Sequence, residues 1–301
     1  MVTGLRIAVT GATGFVGGRL LEVAKGRHLT CLTRRAQDPR DGVTWVRGDL
    51  ANTQALEELC AGADAVIHIA GVINGDAAAF EVGNVTGTAQ LLEAAAKQGV
   101  KRFVHVSSLA AREPDVSLYG ASKRTSEALV LDSGIDAVIV RPPAVYGPGD
   151  RETLELFKMA KRGFVVLPPP GRLSLIHADD LAELLLKLAE GGPSGTILEP
   201  DDGTHNGFSH KQFADALGRA VGRNPRSFSM SPGLVRMGAK LDGLFRGRQA
   251  KLTADRAAYF CHPDWVVRED RRPSPSFWQP RISAEKGLAD TAAWYREKAW
   301  L

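Results

Sequence analysis

Tyr119 and Lys123 stand four residues apart in Tyr119-Gly120-Ala121-Ser122-Lys123, and Ser107-Ser108 closes an apolar run shortly before them. On a helix, positions i and i+4 share a face, so phenol and ammonium would work side by side. A free tyrosine titrates near pH ~10, too high for easy proton exchange at neutral pH. A neighbouring cation favours the phenolate and lowers that value. A serine hydroxyl within reach of the phenol can hold a substrate oxygen. Such a set moves a proton to a carbonyl oxygen or from an alcohol. The Tyr–Lys spacing alone is also that of an ordinary surface pair, so it needs independent support.

That support lies near the N-terminus, where Leu5-Arg6-Ile7-Ala8-Val9-Thr10 runs into Gly11-Ala12-Thr13-Gly14-Phe15-Val16-Gly17. A buried strand ends in a turn with glycine at every third position, and a helix follows. Gly11 suits a tight turn that side chains forbid. Gly14 lets backbone N–H groups approach a pyrophosphate at the positive end of the helix, and Gly17 lets that helix press on the strand. The pattern is a dinucleotide fingerprint. After the second strand, an acidic residue usually binds the adenosine ribose and favours NAD. This chain has Thr33-Arg34-Arg35 there, with Asp38 further on. A guanidinium at that place can clamp a 2′-phosphate, so NADP is expected over NAD.

Strand and helix signals alternate as a doubly wound parallel sheet requires. Residues 28–33 read as the second strand, then 43–46, 65–70, 103–106 and 137–140 as the third to sixth. Amphipathic helices cover 88–97 and 117–131. Ser107-Ser108 therefore falls at the carboxyl end of the fifth strand, the edge where such folds bind ligands. Pro168-Pro169-Pro170-Gly171 marks a surface loop. Beyond about residue 199 the alternation fades and basic residues become frequent.

At 301 residues, 44% of them hydrophobic, the chain can build one large α/β domain and a smaller unit. No apolar run approaches the ~18 residues of a membrane span, and a first strand starting by Leu5 leaves no room for a signal peptide. A cytoplasmic protein is expected. Cys31, Cys60 and Cys261 form no C-x-x-C pair and read as buried thiols of a reducing compartment. The histidines lack ligand spacing, so no metal is expected. Arg219, Arg223, Arg226, Arg236, Lys240, Arg246, Arg248 and Lys251 could meet a phosphorylated substrate or an anionic surface. They are read here as solvated helix faces. No aromatic interleaving makes them a nucleic-acid platform. His177, ahead of Asp179-Asp180, reads as a helix-capping turn, and Trp294 and Trp300 as packing for the C-terminal helix.

With these motifs in order, residues 5–190 resemble the short-chain dehydrogenase/reductase superfamily, in particular its extended branch of NAD(P)-dependent epimerases, dehydratases and reductases. The resemblance implies a Rossmann-type α/β fold with a small discontinuous C-terminal substrate-binding domain. Residues 1–145 would bind the dinucleotide, with 174–198 returning to them, while 146–173 and 199–301 form a substrate lid. Ser108, Tyr119 and Lys123 match the family's catalytic triad. Gly11, Thr13, Gly14, Phe15 and Val16 are similar to its cofactor turn, with Arg34 and Arg35 beside the adenosine. Gly48-Asp49-Leu50 resembles the adenine-contacting segment, and His68-Ile69-Ala70-Gly71 the loop under the ribose. Asn84-Val85-Thr86-Gly87-Thr88 resembles the central helix motif. Tyr119 and Lys123 would also hold the nicotinamide ribose, and Pro142 and Val145 lie in the stretch that passes the nicotinamide. His177-Ala178-Asp179-Asp180-Leu181 matches the return to the sheet, and Gly287-Leu288 through Trp294-Tyr295 the closing helix.

Departures from the pattern narrow the expected chemistry. Only ten residues separate Ser108 from Tyr119, about half the loop that lines the sugar site in epimerases and dehydratases of this branch. Ser108 is followed by Leu109-Ala110, where dehydratases carry the Asp-Glu pair of the elimination. The expectation is an NADP(H)-dependent enzyme that reduces a small-molecule carbonyl or oxidises the alcohol. Phe208, Leu234, Met237, Leu244 and Phe245 mix with arginines in the lid, which suits a hydrophobic ketone, an acyl conjugate or a sugar nucleotide. A nucleotide-sugar epimerase is the enzymatic alternative. A non-catalytic NADPH-binding accessory protein, like the related subunit of respiratory complex I, is the other. The sequence does not fix the oligomeric state; the family often forms a homodimer through helices bearing motifs like those at Asn84 and Tyr119.

Overall fold

The computed structural model describes residues 4–247, 250 and 252–301. Seven strands form one parallel sheet: β1 (Arg6–Thr10), β2 (His28–Thr33), β3 (Val43–Arg47), β4 (Ala65–His68), β5 (Arg102–Val106), β6 (Asp136–Val140) and β11 (Thr196–Leu198). Their order across the sheet is β11-β6-β5-β4-β1-β2-β3. The chain turns outward in both directions from β1, so the β1–β4 boundary is the switch point, and a crevice opens at its carboxyl edge. Six of the strands coincide with the apolar runs of the sequence. The seventh is a three-residue strand that pairs Thr196, Ile197 and Leu198 with Val138, Ile139 and Val140, too short to show a period.

The runs are apolar throughout because both sheet faces are covered. Side chains alternate across the pleat, so neighbours in one strand feed different cores. Ile7, Val9, Ile67, Val104 and Val138 pack under α1 (Phe15–Val23) and α7 (Ala178–Glu190). Ala8, Val66, Phe103 and Ile139 pack on the other face under α2 (Thr53–Cys60), α4 (Gly87–Lys97) and α5 (Leu118–Leu131). The short helix α3 (Ala77–Phe80) leads towards α4 through one wide turn, residues 81–86. Arg19 clasps Asp179 at 2.6 and 2.8 Å and so ties α1 to α7. Cys31 and Cys60 are buried, and burial pushes both thiols up to about 12. Cys261, expected to be buried as well, is half-buried at the end of a surface helix.

A separate core gathers Tyr146, Phe157, Leu217, Leu288 and Tyr295. It is built from β7 (Ala144–Tyr146), α6 (Leu154–Lys161), α8 (His210–Val221) and α11 (Ala284–Glu297). Small sheets frame it: β10 (Leu175–His177) on β7, β13 (Arg226–Ser229) on β8 (Phe164–Leu167), and β12 (Phe208–Ser209) and β14 (Asp264–Trp265) flanking β9 (Arg172–Leu173). A further helix pair, α9 (Pro232–Arg246) and α10 (Ala254–Cys261), meets through Val235, Ala239 and Ala257. Trp294 and Trp300 pack edge to face against each other beside Tyr295. His177 caps α7, its ring accepting from the Asp179 N–H, while Asp180 accepts from the N–H groups of Arg281 and Ile282. Arg219, Arg223, Arg226, Arg236, Lys240 and Arg246 are exposed; Arg248 and Lys251 lie outside the described residues. No helix among the described residues is long and apolar enough to cross a membrane.

The turn after β1 lies close against α1. Gly11 has a φ of 79°, open to glycine but costly for other residues. A Cβ on Gly17 would sit 2.1 Å from the Gly11 carbonyl oxygen, so α1 can touch β1 only through glycine. Gly17→Val should lower unfolding stability in urea by about 2 kcal/mol or more through overpacking. An unchanged midpoint would show that this contact can relax.

Candidate active site

The crevice at the switch point is lined first by backbone. Gly14 caps α1 in an extended conformation without a side-chain hydrogen bond, and the first turn holds no acidic residue. Thr13 and Gly14 are exposed, while Phe15 and Val16 are half-buried. The α1 N–H groups and their positive end thus face open space, as an anion site requires. Gly11 lies against the Ala70 N–H, which donates to the Thr10 hydroxyl at 3.2 Å. At the end of β2, Arg34 and Arg35 are exposed, and neither has an ion-pair partner among the described residues. Asp49 is exposed and turns back to the Ala51 N–H, whereas Leu50 packs beside Gly87. Gly71 completes the floor: a Cβ there would meet Asn84 Oδ1 at 3.0 Å and Lys123 Nζ at 3.8 Å. A glycine-lined cradle, an open helix terminus and two unpaired guanidinia fit an extended dinucleotide.

The chemistry-bearing side chains stand at the same edge. Ser117 caps α5 by accepting from the Gly120 N–H, and the helix so started carries both Tyr119 and Lys123. The two adjacent serines part company. Ser107 is buried and donates to Glu127 Oε1 at 2.6 Å. Ser108 is half-buried, accepts from the Ala110 N–H at 3.2 Å, and lies near enough to the Tyr119 phenol to act on its titration. Burial pushes that phenol up, and Ser108 draws it back. Lys123 is buried; its Nζ donates to the Val106 carbonyl at 2.8 Å, and burial lowers it to about 8. The Pro142 carbonyl accepts from the Leu109 N–H, next to Ser108, at 3.0 Å, and Val145 packs on the core beneath α1 and α7. An apolar wall of Leu109, Ala110, Trp265 and Val267 adjoins Tyr119 and Tyr259.

Beneath this row runs a polar layer centred on Glu127, a residue that sequence reasoning did not single out. Glu127 takes both arms of Arg141, at 2.7 and 2.6 Å, and Arg141 reaches Glu199 at 3.4 Å. All three are buried. Glu127 stands four residues after Lys123, and this i,i+4 spacing was the available signal. His68 bridges the Thr10 and Thr88 hydroxyls, and His105 contacts Ser126. Burial pushes both imidazoles down, with the charge of Lys123 adding to it, so both rings are neutral. Asn84 sits in the wide turn between α3 and α4. It clasps both the N–H and the carbonyl of Val72, at 2.7 and 2.9 Å, and donates to the Ser122 hydroxyl at 2.9 Å. Such π-turns often mark functional positions.

A buried lysine leaves a signature in pH. Folded, Lys123 loses its proton near 8; an exposed lysine holds it to 10.5. Between those values the unfolded chain binds the extra proton, so stability rises with pH, by at most about 1.4 kcal/mol per unit. Lys123→Met removes this dependence. Urea titrations should show the variant's stability advantage over wild type narrowing from pH 8 to 10. Parallel pH profiles would refute a buried, depressed lysine.

Comparison with known proteins agrees with this geometry. Residues 7–199 match the family model described as the NAD dependent epimerase/dehydratase family. The chain is 36% identical to the ceramide reductase of Caulobacter vibrioides (strain NA1000 / CB15N), over 98% of its own length and 96% of that protein. It is 31% identical to a 4-hydroxy-2-methyl-3-oxo-4-farnesyl-3,4-dihydroquinoline-1-oxide ketoreductase of Stigmatella aurantiaca, over 94% and 95% of the two chains. Among solved structures, gox2253 shares the fold with a TM-score of 0.79 at 22% identity, covering 99% of this chain and 100% of that one. The chain therefore belongs to the NAD-dependent epimerase/dehydratase family.

Proposed function

We propose that this protein is an NADP(H)-dependent oxidoreductase that reduces the carbonyl of a hydrophobic ketone. The observation that carries the reading is the placement of Ser108, the serine of the pair not committed to Glu127, beside the Tyr119 phenol on the helix that also carries Lys123. The N–H groups after Gly11, Thr13 and Gly14 would hold the pyrophosphate, and Arg34 and Arg35 the 2′-phosphate. Asp49 and Leu50 would border the adenine, Ala70 and Gly71 the adenine ribose, and Lys123 the nicotinamide ribose. When bound, the nicotinamide supplies the hydride. Ser108 orients the substrate oxygen, and Tyr119 Oη gives it a proton. Lys123 Nζ exchanges the Val106 carbonyl for the ribose and favours the phenolate that results. Residues 146–173 and 199–301 form the substrate-binding part. The apolar wall beside Tyr119, and two reductase relatives whose names specify a ceramide and a farnesylated ring ketone, support a lipophilic substrate.

NADPH should bind more tightly than NADH, and replacing Arg34 and Arg35 together with alanine should erase most of the difference. A charge-assisted contact of ~1.5–3 kcal/mol corresponds to roughly ten- to hundredfold in affinity. Equal affinities of the wild type in titration calorimetry would remove the NADP assignment.

Tyr119→Phe keeps the ring but loses the transferable proton, so turnover should fall by ~10²-fold or more with NADPH affinity nearly intact. Turnover is read as NADPH consumed per carbonyl reduced. Epimerisation of a nucleotide sugar with no net change in NADPH absorbance would instead identify an epimerase. Tight NADPH retention without conversion of any carbonyl would identify a binding module.

A further inference from the structure

Helix α9 leaves large apolar side chains in water. Leu234, Met237, Leu241, Leu244 and Phe245 are all exposed, Leu244 to 80% and Phe245 to 86%. At about 100° per residue these five fall on one stripe roughly 100° wide. Val235 and Ala239, which pack on α10, lie roughly 150° away around the helix. The stripe therefore faces away from α10 and the fold beneath. Phe228, 56% exposed on β13, precedes the helix by four residues. Soluble monomers rarely leave so much contiguous apolar surface bare.

The charge of this region is mostly of one sign. Between Arg219 and Gly247 the sequence holds six basic residues (Arg219, Arg223, Arg226, Arg236, Lys240 and Arg246) against one acid, Asp242. Arg246 pairs with Asp242 at 3.3 Å. Arg236 and Lys240, on the flank next to Leu244, are exposed and have no ion-pair partner among the described residues. A second copy of the chain meets this face poorly, since a two-fold interface would set like charge on like. An apolar stripe bordered by unpaired cations is complementary to an anionic bilayer.

We propose that α9 docks the protein on an anionic membrane surface, lying in the interface with Phe245 and Leu244 inserted. The active site is joined to α9 through its packing partner α10. Leu118 N–H, at the start of α5, donates to Asp255 of α10 at 2.5 Å, and Tyr259 of α10 shares the apolar cluster of Tyr119. The surface stands on its own observations and does not require the reductase reading.

The test is co-sedimentation of the intact protein with sucrose-loaded vesicles of phosphatidylcholine alone or mixed with phosphatidylglycerol. The mixed vesicles should capture at least ~10-fold more protein, and added salt should release it. Leu244→Asp with Phe245→Asp should cut that capture ~10-fold or more at unchanged circular dichroism. Arg236→Gln with Lys240→Gln should cut it roughly fivefold per charge, a readout that stands if the first pair fails to fold. Indifference to phosphatidylglycerol, or capture unaffected by both pairs, would overturn the proposal. So would a wild-type dimer in sedimentation equilibrium that Phe245→Asp dissolves. None of these readings involves turnover, so their failure is separate from failure of the proposed reaction.

Discussion

The carboxylate of Glu127 binds Ser107 and both arms of Arg141 in a space closed to water. Its helix, α5, carries Tyr119 and Lys123; Ser107 ends β5, and Arg141 follows β6. One ion pair therefore fixes a helix against the ends of two strands, where the candidate site needs sub-ångström positioning. Burying such a pair is costly, and apolar replacements of equal volume are often at least as stable. What the pair supplies is geometry. It engages Ser107 and leaves Ser108 as the serine that meets the phenol, and through Glu199 it reaches the Arg268 N–H near the apolar wall.

Charge within the crevice follows from that packing. Lys123 sits over two neutral histidines and donates to a main-chain carbonyl, so nothing in its shell offsets burial fully. The sequence suggested that this ammonium acts on the phenol directly. Burial pushes the phenol up and nearby Ser108 draws it back, while Lys123 Nζ donates to the Val106 carbonyl. The two residues share a helix, yet their heads serve different neighbours. Spacing along a helix specifies a face, and only packing specifies a partner.

How much could be read from residues alone divides along the same line. Apolar runs located six strands because a sheet covered on both faces leaves a strong local imprint. The glycine turn, the helix cap at His177, and the helix bearing Tyr119 and Lys123 were likewise local patterns. Asn84 was visible as part of a motif, but its π-turn has no period to detect. The division of labour between Ser107 and Ser108 depends on Glu127, distant in sequence, and was hidden. Cys261 looked like its two buried fellows until its helix proved to lie at the surface. The stripe on α9 was half visible: its basic residues were read as solvated and most of its apolar ones were noted, but the exposure of the apolar ones could not be.

The order of the strands has a consequence for synthesis. Strand β11 closes the sheet beside β6, although fifty-five residues lie between Val140 and Thr196. Within that span α6 and β8 emerge first, and their apolar side chains Phe157 and Val165 await partners on α8 and α11. On the ribosome the sheet can be completed once residue 198 is out, while the second core stays open until the final helix arrives. Nascent chains of this kind expose one unfinished apolar surface late in translation. The C-terminal helix then acts as a latch, and losing it would leave a finished sheet beside a core that never shuts.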